Sequence, residues 1–202
     1  MINEIPLDWW KQYKRPATLD EWKQLTFMSF RKDLRNIPEY PVADGYRIRT
    51  YRDRRDRDNW AAIWQAAALK GWDWGTPEGF DANYGRDENL LRRRRVLFAE
   101  TLDGQAVGTV AAWRNRLRGK RWGMVHWYAV VPKHQGRGLG KALLTACLKT
   151  MKSLGHRRAS VGTQLVRLPA IKTYLDFGFI PEDPAVRKLL RKYLGRHPSL
   201  PV

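Results

Sequence analysis

Glycines at 136, 138 and 140, interleaved with Arg137 and Lys141, are the residues of this 202-residue chain whose spacing most clearly suits chemistry. Glycine lets the backbone approach a ligand closely, and a helix start leaves unpaired N–H groups beside a partial positive charge. Such a turn holds phosphate. Two phosphate-loop patterns fail by position. A Walker A loop ending at Gly140-Lys141 needs glycine at 135 and Ser or Thr at 142, where Gln135 and Ala142 stand; a dinucleotide fingerprint begun at Gly136 needs glycine at 141 and meets Lys141.

The elements around the loop must present it. Met124 to Val131 is rich in aromatic and β-branched residues and is stopped by Pro132, which predicts a strand. After the glycines, Leu139, Leu143, Ala146 and Met151, widened by Leu144 and Leu148, give the buried stripe of a helix. The junction is therefore strand, loop, helix.

Gln135-x-x-Gly138-x-Gly140, entered from Val130-Val131-Pro132, resembles the pyrophosphate-binding motif of the GNAT-type N-acyltransferase superfamily, which uses acetyl-coenzyme A. About thirty residues on, Ala170-Ile171-Lys172-Thr173-Tyr174-Leu175-Asp176-Phe177-Gly178-Phe179 is similar to the family's second cofactor motif, A-I-x-x-Y-x-x-x-G-F. The resemblance implies an α/β (α+β) fold, with a central mixed, mostly antiparallel, splayed sheet of about six to seven strands flanked by helices. It also implies an N-acetyltransferase in which an amine attacks the thioester carbonyl directly. Tyr128, Ala129 and Val130 would pair with the pantetheine arm as an added strand does. Gln135, Gly136, Arg137, Gly138, Leu139, Gly140 and Lys141 would surround the pyrophosphate. Tyr174 matches the tyrosine that often protonates the departing thiolate. The chain departs from the family at Arg167, where asparagine is frequent; that puts this side chain's contacts in doubt and leaves Tyr174 untouched.

The base is open between His126, Glu100 and water. His126 has a suitable reference pKa and shares a strand face with Tyr128 and Val130 if no bulge intervenes. Some amine-acetylating members of the family carry a histidine on this strand. Glu100 lies on a neighbouring predicted strand.

The composition is 43% hydrophobic with a net charge of +18. The charge excess lies wholly in residues 46–202 and attracts polyanions, coenzyme A and nucleic acid alike. Arg114, Arg116 and Arg118 alternate beyond a predicted hairpin and are the best nucleic-acid candidates. No membrane span or signal-peptide pattern is present, so a cytoplasmic protein is expected. The lone Cys147 leaves no partner for a disulfide, and no metal site is expected. A nucleic-acid-binding protein on this fold and a non-catalytic acyl-coenzyme A regulator are the competing functions. Acceptor identity and oligomeric state, a homodimer included, stay open.

Residues 1–45 read as an N-terminal helical extension and 46–202 as the acyltransferase domain. Thr18-x-x-Glu21 reads as a capping box opening a helix to about Leu34. Strands are predicted over Tyr46–Tyr51, Val96–Glu100, Ala106–Trp113 and Arg158–Gln164. Helices are predicted from Asp56 or Asp58 to Gly71, over Asp87–Arg94, over Pro169–Phe177 and over Val186–Leu194. The stretch from 71 to 85 reads as a loop. Its aromatic rings and carboxylates suit a cation, and Trp72, Asp73, Trp74 and Phe80 are assigned to acceptor binding.

Overall fold

The computed structural model describes residues 28–67, 75–85, 94–117 and 120–200. In chain order its elements are β1 (Met28–Asp33), β2 (Tyr46–Thr50), α1 (Arg55–Ala67), α2 (Pro77–Tyr84), β3 (Val96–Thr101), β4 (Ala106–Leu117), β5 (Lys120–Val130), α3 (Leu139–Ser153), β6 (Arg158–Thr163), α4 (Leu168–Asp176), β7 (Ile180–Pro181) and α5 (Pro184–Leu194). The class is α/β, as the motifs imply. Among the described residues no helix is long and apolar enough to cross a membrane.

The chain forms two compact units, residues 34–157 and residues 1–33 with 158–202. In the first, β2, β3, β4 and β5 pair antiparallel in that order. Alternation along the strands gives this sheet two dressed faces. One face takes α3: a Cβ on Gly108 would meet Leu143 at 2.9 Å, and one on Gly123 would meet the Met151 Sδ at 2.6 Å. Those two glycines let the helix lie close. Of the stripe predicted for α3, Leu139, Leu143, Leu144, Leu148 and Met151 are buried and Ala146 is half-buried. The opposite face carries an aromatic core of Tyr51, Trp60, Ile63, Trp64, Phe80, Tyr84, Val96 and Phe98 under α1 and α2. The segment before β2 straps onto α3, where the Thr145 hydroxyl donates to the Pro38 carbonyl at 2.9 Å.

In the second unit β1 pairs antiparallel with β6 along one edge and with β7 along the other. Helix α5 starts where the Asp183 side chain accepts from the Ala185 N–H at 2.8 Å, behind Pro184.

Three local expectations are corrected. Residues 28–33 are a strand, where the capping-box reading runs a helix to Leu34; Met28 and Phe30 are buried and Ser29 is exposed, the two-residue period of a strand. The start of that helix, and residues 1–17, lie outside the described residues, as do residues 87–93 of the predicted second helix. Helix α1 begins where the Asp53 side chain accepts from the Arg55 N–H at 2.8 Å, while Asp56 lies inside the first turn. Residues 77–84 are helical rather than loop. The Thr76 hydroxyl accepts from the Gly79 N–H at 2.9 Å, Pro77 occupies the first turn, and Gly85 ends the helix at φ +83°.

Candidate active site

The loop between β5 and α3 has the form its glycines demand. A tight turn over Pro132–His134 leaves the strand, and Gly136 and Gly138 then adopt φ of +75° and +79°, a region that disfavours side chains with a Cβ. Gly138 caps α3 without a side-chain hydrogen bond, and Ala142 donates the first helical bond back to its carbonyl at 3.0 Å. The N–H groups of the first helical turn consequently have no acceptor within the helix. Residues 135–138 are exposed, and a Cβ on Gly136 or Gly138 would meet nothing within 4 Å. This is an open, glycine-lined helix start suited to an anion.

Two side chains pin the loop to the sheet. Gln135 donates through Nε2 to the Val130 carbonyl at 2.8 Å. Tyr46, at the start of β2, hydrogen-bonds through its hydroxyl to the Nδ1 of His134 at 2.9 Å, with the rings edge to face. This second anchor has no local signal in the sequence, because 88 residues separate the partners. Arg137 is exposed, Leu139 is buried, and the Lys141 ammonium sits 4.8 Å from the centre of the Tyr40 ring. Gly140 packs close to the sheet: a Cβ there would lie 2.5 Å from the Tyr128 hydroxyl oxygen, and that side chain would have to shift.

A bulge on β5 rearranges the predicted face. Thr109 pairs with Ala129 and Ala111 with His126, so Trp127 and Tyr128 together oppose Val110. Trp127 sits at φ +49°, unusual for a bulky residue, with its ring edge to face with Trp60 and Trp64 at centroid distances of 5.2 and 4.8 Å. The extra residue reverses the alternation. Tyr128 and Val130 face α3, whereas His126 shares the aromatic face with Ala129, which corrects the expectation that all three point one way.

His126 lies among rings, 6.1 Å from Tyr84 and 5.7 Å from Trp127 by centroid, and its Nδ1 is buried without a hydrogen-bond partner. Burial lowers its pKa from 6.5 to about 4. The imidazole is therefore neutral at physiological pH. Moving a proton onto it from an alkylammonium of pKa near ~10.4 is uphill by roughly 8–9 kcal/mol at ~1.36 kcal/mol per unit. Its depressed value also has a stability consequence. The contribution is complete above 6.5 and is lost as pH falls toward about 4, because the unfolded chain takes up the proton first.

Glu100 is worse placed for a base. Its side chain is fully buried and is held by Arg49, by Arg47 at 2.5 Å and by Arg52 at 3.0 Å. Arg49 in turn forks onto both oxygens of Asp56 at 2.7 Å. Burial alone would raise the Glu100 carboxyl, but hydrogen bonds from Arg49 and Arg47 and the charges of Arg49 and Arg52 outweigh it and leave the group below the ordinary carboxylate range. Its oxygens are engaged by arginines, so the role the structure gives Glu100 is that of a buried counter-ion.

Phe80, assigned from sequence to the acceptor, is fully buried on α2, stacked on Tyr51 at 5.7 Å and edge to face with Trp60. It is a core ring rather than a cleft wall. Trp72, Asp73 and Trp74 lie outside the described residues. In the other unit Tyr174 is buried on α4, with its ring 6.3 Å from Phe30 and 5.8 Å from Phe179. Cys147 is buried on α3, and burial pushes its thiol far above the usual range, so it is inert packing.

Residues 48–179 match the Acetyltransferase (GNAT) family. Similar curated proteins include the mycothiol acetyltransferases of Pseudarthrobacter chlorophenolicus, 27% identical over 73% of this chain and 46% of that protein, and of Saccharomonospora viridis, 29% identical over 80% and 54%. The chain spans about half the length of these relatives. Among solved structures, a GCN5-related N-acetyltransferase from Sphaerobacter thermophilus superimposes with a TM-score of 0.58 at 21% identity, over 77% of this chain and 48% of that one. That likeness concerns the fold.

Proposed function

Because the chain belongs to the GNAT acetyltransferase family, whose acyl donor is acetyl-coenzyme A, we propose that it transfers an acetyl group from that donor to an amine. The observation that carries the reading is the exposed glycine loop at the head of α3, with two positive-φ glycines and an uncapped first turn. Its amides, from Gly136 to Lys141, hold the diphosphate, with Arg137 adding charge. The backbone of Tyr128, Ala129 and Val130, beside the bulge, pairs with the pantetheine arm. Acetyl-coenzyme A is expected to raise the melting temperature, and acceptor amine is expected to drive thiol release. A protein that neither binds the coenzyme nor releases thiol across a broad amine panel would contradict the assignment. Mycothiol-related acceptors belong in that panel, since similar proteins bear that name.

The site chemistry divides into two proton movements. The attacking amine must be neutral, and neither His126 nor Glu100 is tuned to take its proton, so we propose that the amine loses its proton to bulk solvent and enters the site already neutral. The kcat/KM for a simple amine should then rise with pH along the amine's own ionisation. An inflection near 6.5 that disappears in His126→Gln would restore the histidine as base. For the departing thiolate, Tyr174 is the proposed acid, since a phenol of pKa near ~10 suits that donation. Tyr174→Phe is expected to lower kcat by about ten-fold or more with little change in coenzyme affinity, as measured by steady-state thiol release beside calorimetric titration. Unchanged turnover removes the tyrosine from the mechanism.

A further inference from the structure

At the end of the first unit's sheet away from the glycine loop, four basic groups gather, and among the described residues no acid pairs with them. Arg95 stands immediately before β3 and reaches the end of α3. There its Nη1 donates to the Ala112 carbonyl at 2.8 Å and lies 3.4 Å from Nε2 of His156. His156 follows the last turn of α3 and is buried. Two residues beyond Ala112 stands Arg114, and Arg121 pairs with Arg116 two further on, so both belong to the same face. Both are exposed.

Arg95 is only 7% exposed, and its Nε is buried with no hydrogen-bond partner. Among the described residues no carboxylate pairs with Arg95, Arg114, Arg121 or His156. Burial first, then the charges of Arg114 and Arg121, hold the Arg95 guanidinium below its ordinary value. Two half-buried arginines elsewhere in this unit have counter-ions: Arg49 has Asp56 and Glu100, and Arg57 has Asp81 at 2.7 Å. A buried guanidinium with an unpartnered Nε, beside two exposed guanidiniums and an imidazole, is the kind of donor set that takes phosphate.

We propose that Arg95, Arg114, Arg121 and His156 form a second phosphate-binding site, distinct from the coenzyme loop and separated from it by the 15-residue length of α3, about 22 Å at ~1.5 Å per residue. The phosphate belongs either to a small free anion or to the backbone of a polynucleotide. The sequence from Arg114 to Arg121, at the end of β4 and the start of β5, contains four arginines and a lysine and no acidic residue.

The test compares the full chain with an Arg114→Ala, Arg121→Ala double variant, both saturated with acetyl-coenzyme A so that the loop is filled. Inorganic phosphate is titrated calorimetrically against a chloride control of equal ionic strength. A fluorescein-labelled 20-nucleotide RNA is followed by anisotropy between 50 and 200 mM salt. Loss of phosphate binding by at least five-fold in the variant identifies a small-anion site. A fall of about ten-fold in RNA affinity, with a salt slope reduced by about two ions, identifies polynucleotide as the source. Equal binding of both probes to the two proteins overturns the proposal. Because the substitutions remove repulsion at exposed positions, the variant's melting temperature should not fall, and a loss of probe binding with that temperature intact reports the site itself.

Discussion

Glu100→Gln should unfold about 6–12 °C below the parent protein while keeping any acetyl transfer it can perform when folded. The carboxylate is fully buried and accepts from three arginines, of which Arg49 is itself nearly buried. The amide has almost the same shape but no charge, so it leaves the guanidiniums without their counter-ion. Breaking one side of a buried pair costs roughly 3–5 kcal/mol. Asp56 still holds Arg49 through two bonds, which favours the lower end of that range. About 3 kcal/mol corresponds to ~6–12 °C for a chain of this size. The sign with pH is fixed by the lowered folded pKa. Glu100 contributes fully above the ordinary carboxylate range, and that contribution disappears as pH falls through the folded value. The gap between parent and variant in a pH series of thermal melts should therefore close in acid. A variant with an unchanged melting temperature and no activity would return Glu100 to the role of base.

The second large effect concerns the loop. Replacing Gly136 and Gly138 together by alanine adds a Cβ at φ +75° and φ +79°, in the space where a ligand's oxygens would approach. Each substitution strains the backbone by roughly 1–2 kcal/mol, and the resulting shift misdirects the amides of the first turn of α3. Affinity for acetyl-coenzyme A is expected to fall by about ten- to a hundred-fold in calorimetry. Gly104→Ala is the control, since Gly104 also has positive φ and open surroundings but belongs to the exposed turn between β3 and β4. It carries the same kind of backbone strain and should leave coenzyme affinity unchanged. Equal losses in the two proteins would mean that the effect is general destabilisation.

The parts legible in the sequence were those written in local signals. The α3 stripe repeats over four turns, and the glycines stand where the chain must pass through positive φ, so strand, loop and helix were all readable. Short or ambiguous signals failed. Strand β1 offers only Met28 and Phe30 as its alternation, and Met28 also fits a helical spacing with Trp22 and Leu25. In the stretch from 75 to 85 the proline and glycines suit a loop by composition, although Thr76, Pro77 and Gly85 spell a capped start and a stop. The face of His126 was unreadable for a different reason. Trp127 takes its left-handed conformation inside a cage of tryptophans, and no residue type announces such a bulge. Glu100 had a trace that could have been followed. Arg47 and Arg49 alternate along a predicted strand and so share one face, as two partners of a single acid must.

Backbone hydrogen exchange, with and without acetyl-coenzyme A, tests the central claim most directly, with S-acetylpantetheine as the ligand that lacks the diphosphate. The account predicts that acetyl-coenzyme A slows exchange most strongly at residues 136–141 and that S-acetylpantetheine leaves those amides unchanged. Saturating coenzyme binding with no slowing at 136–141 would contradict it.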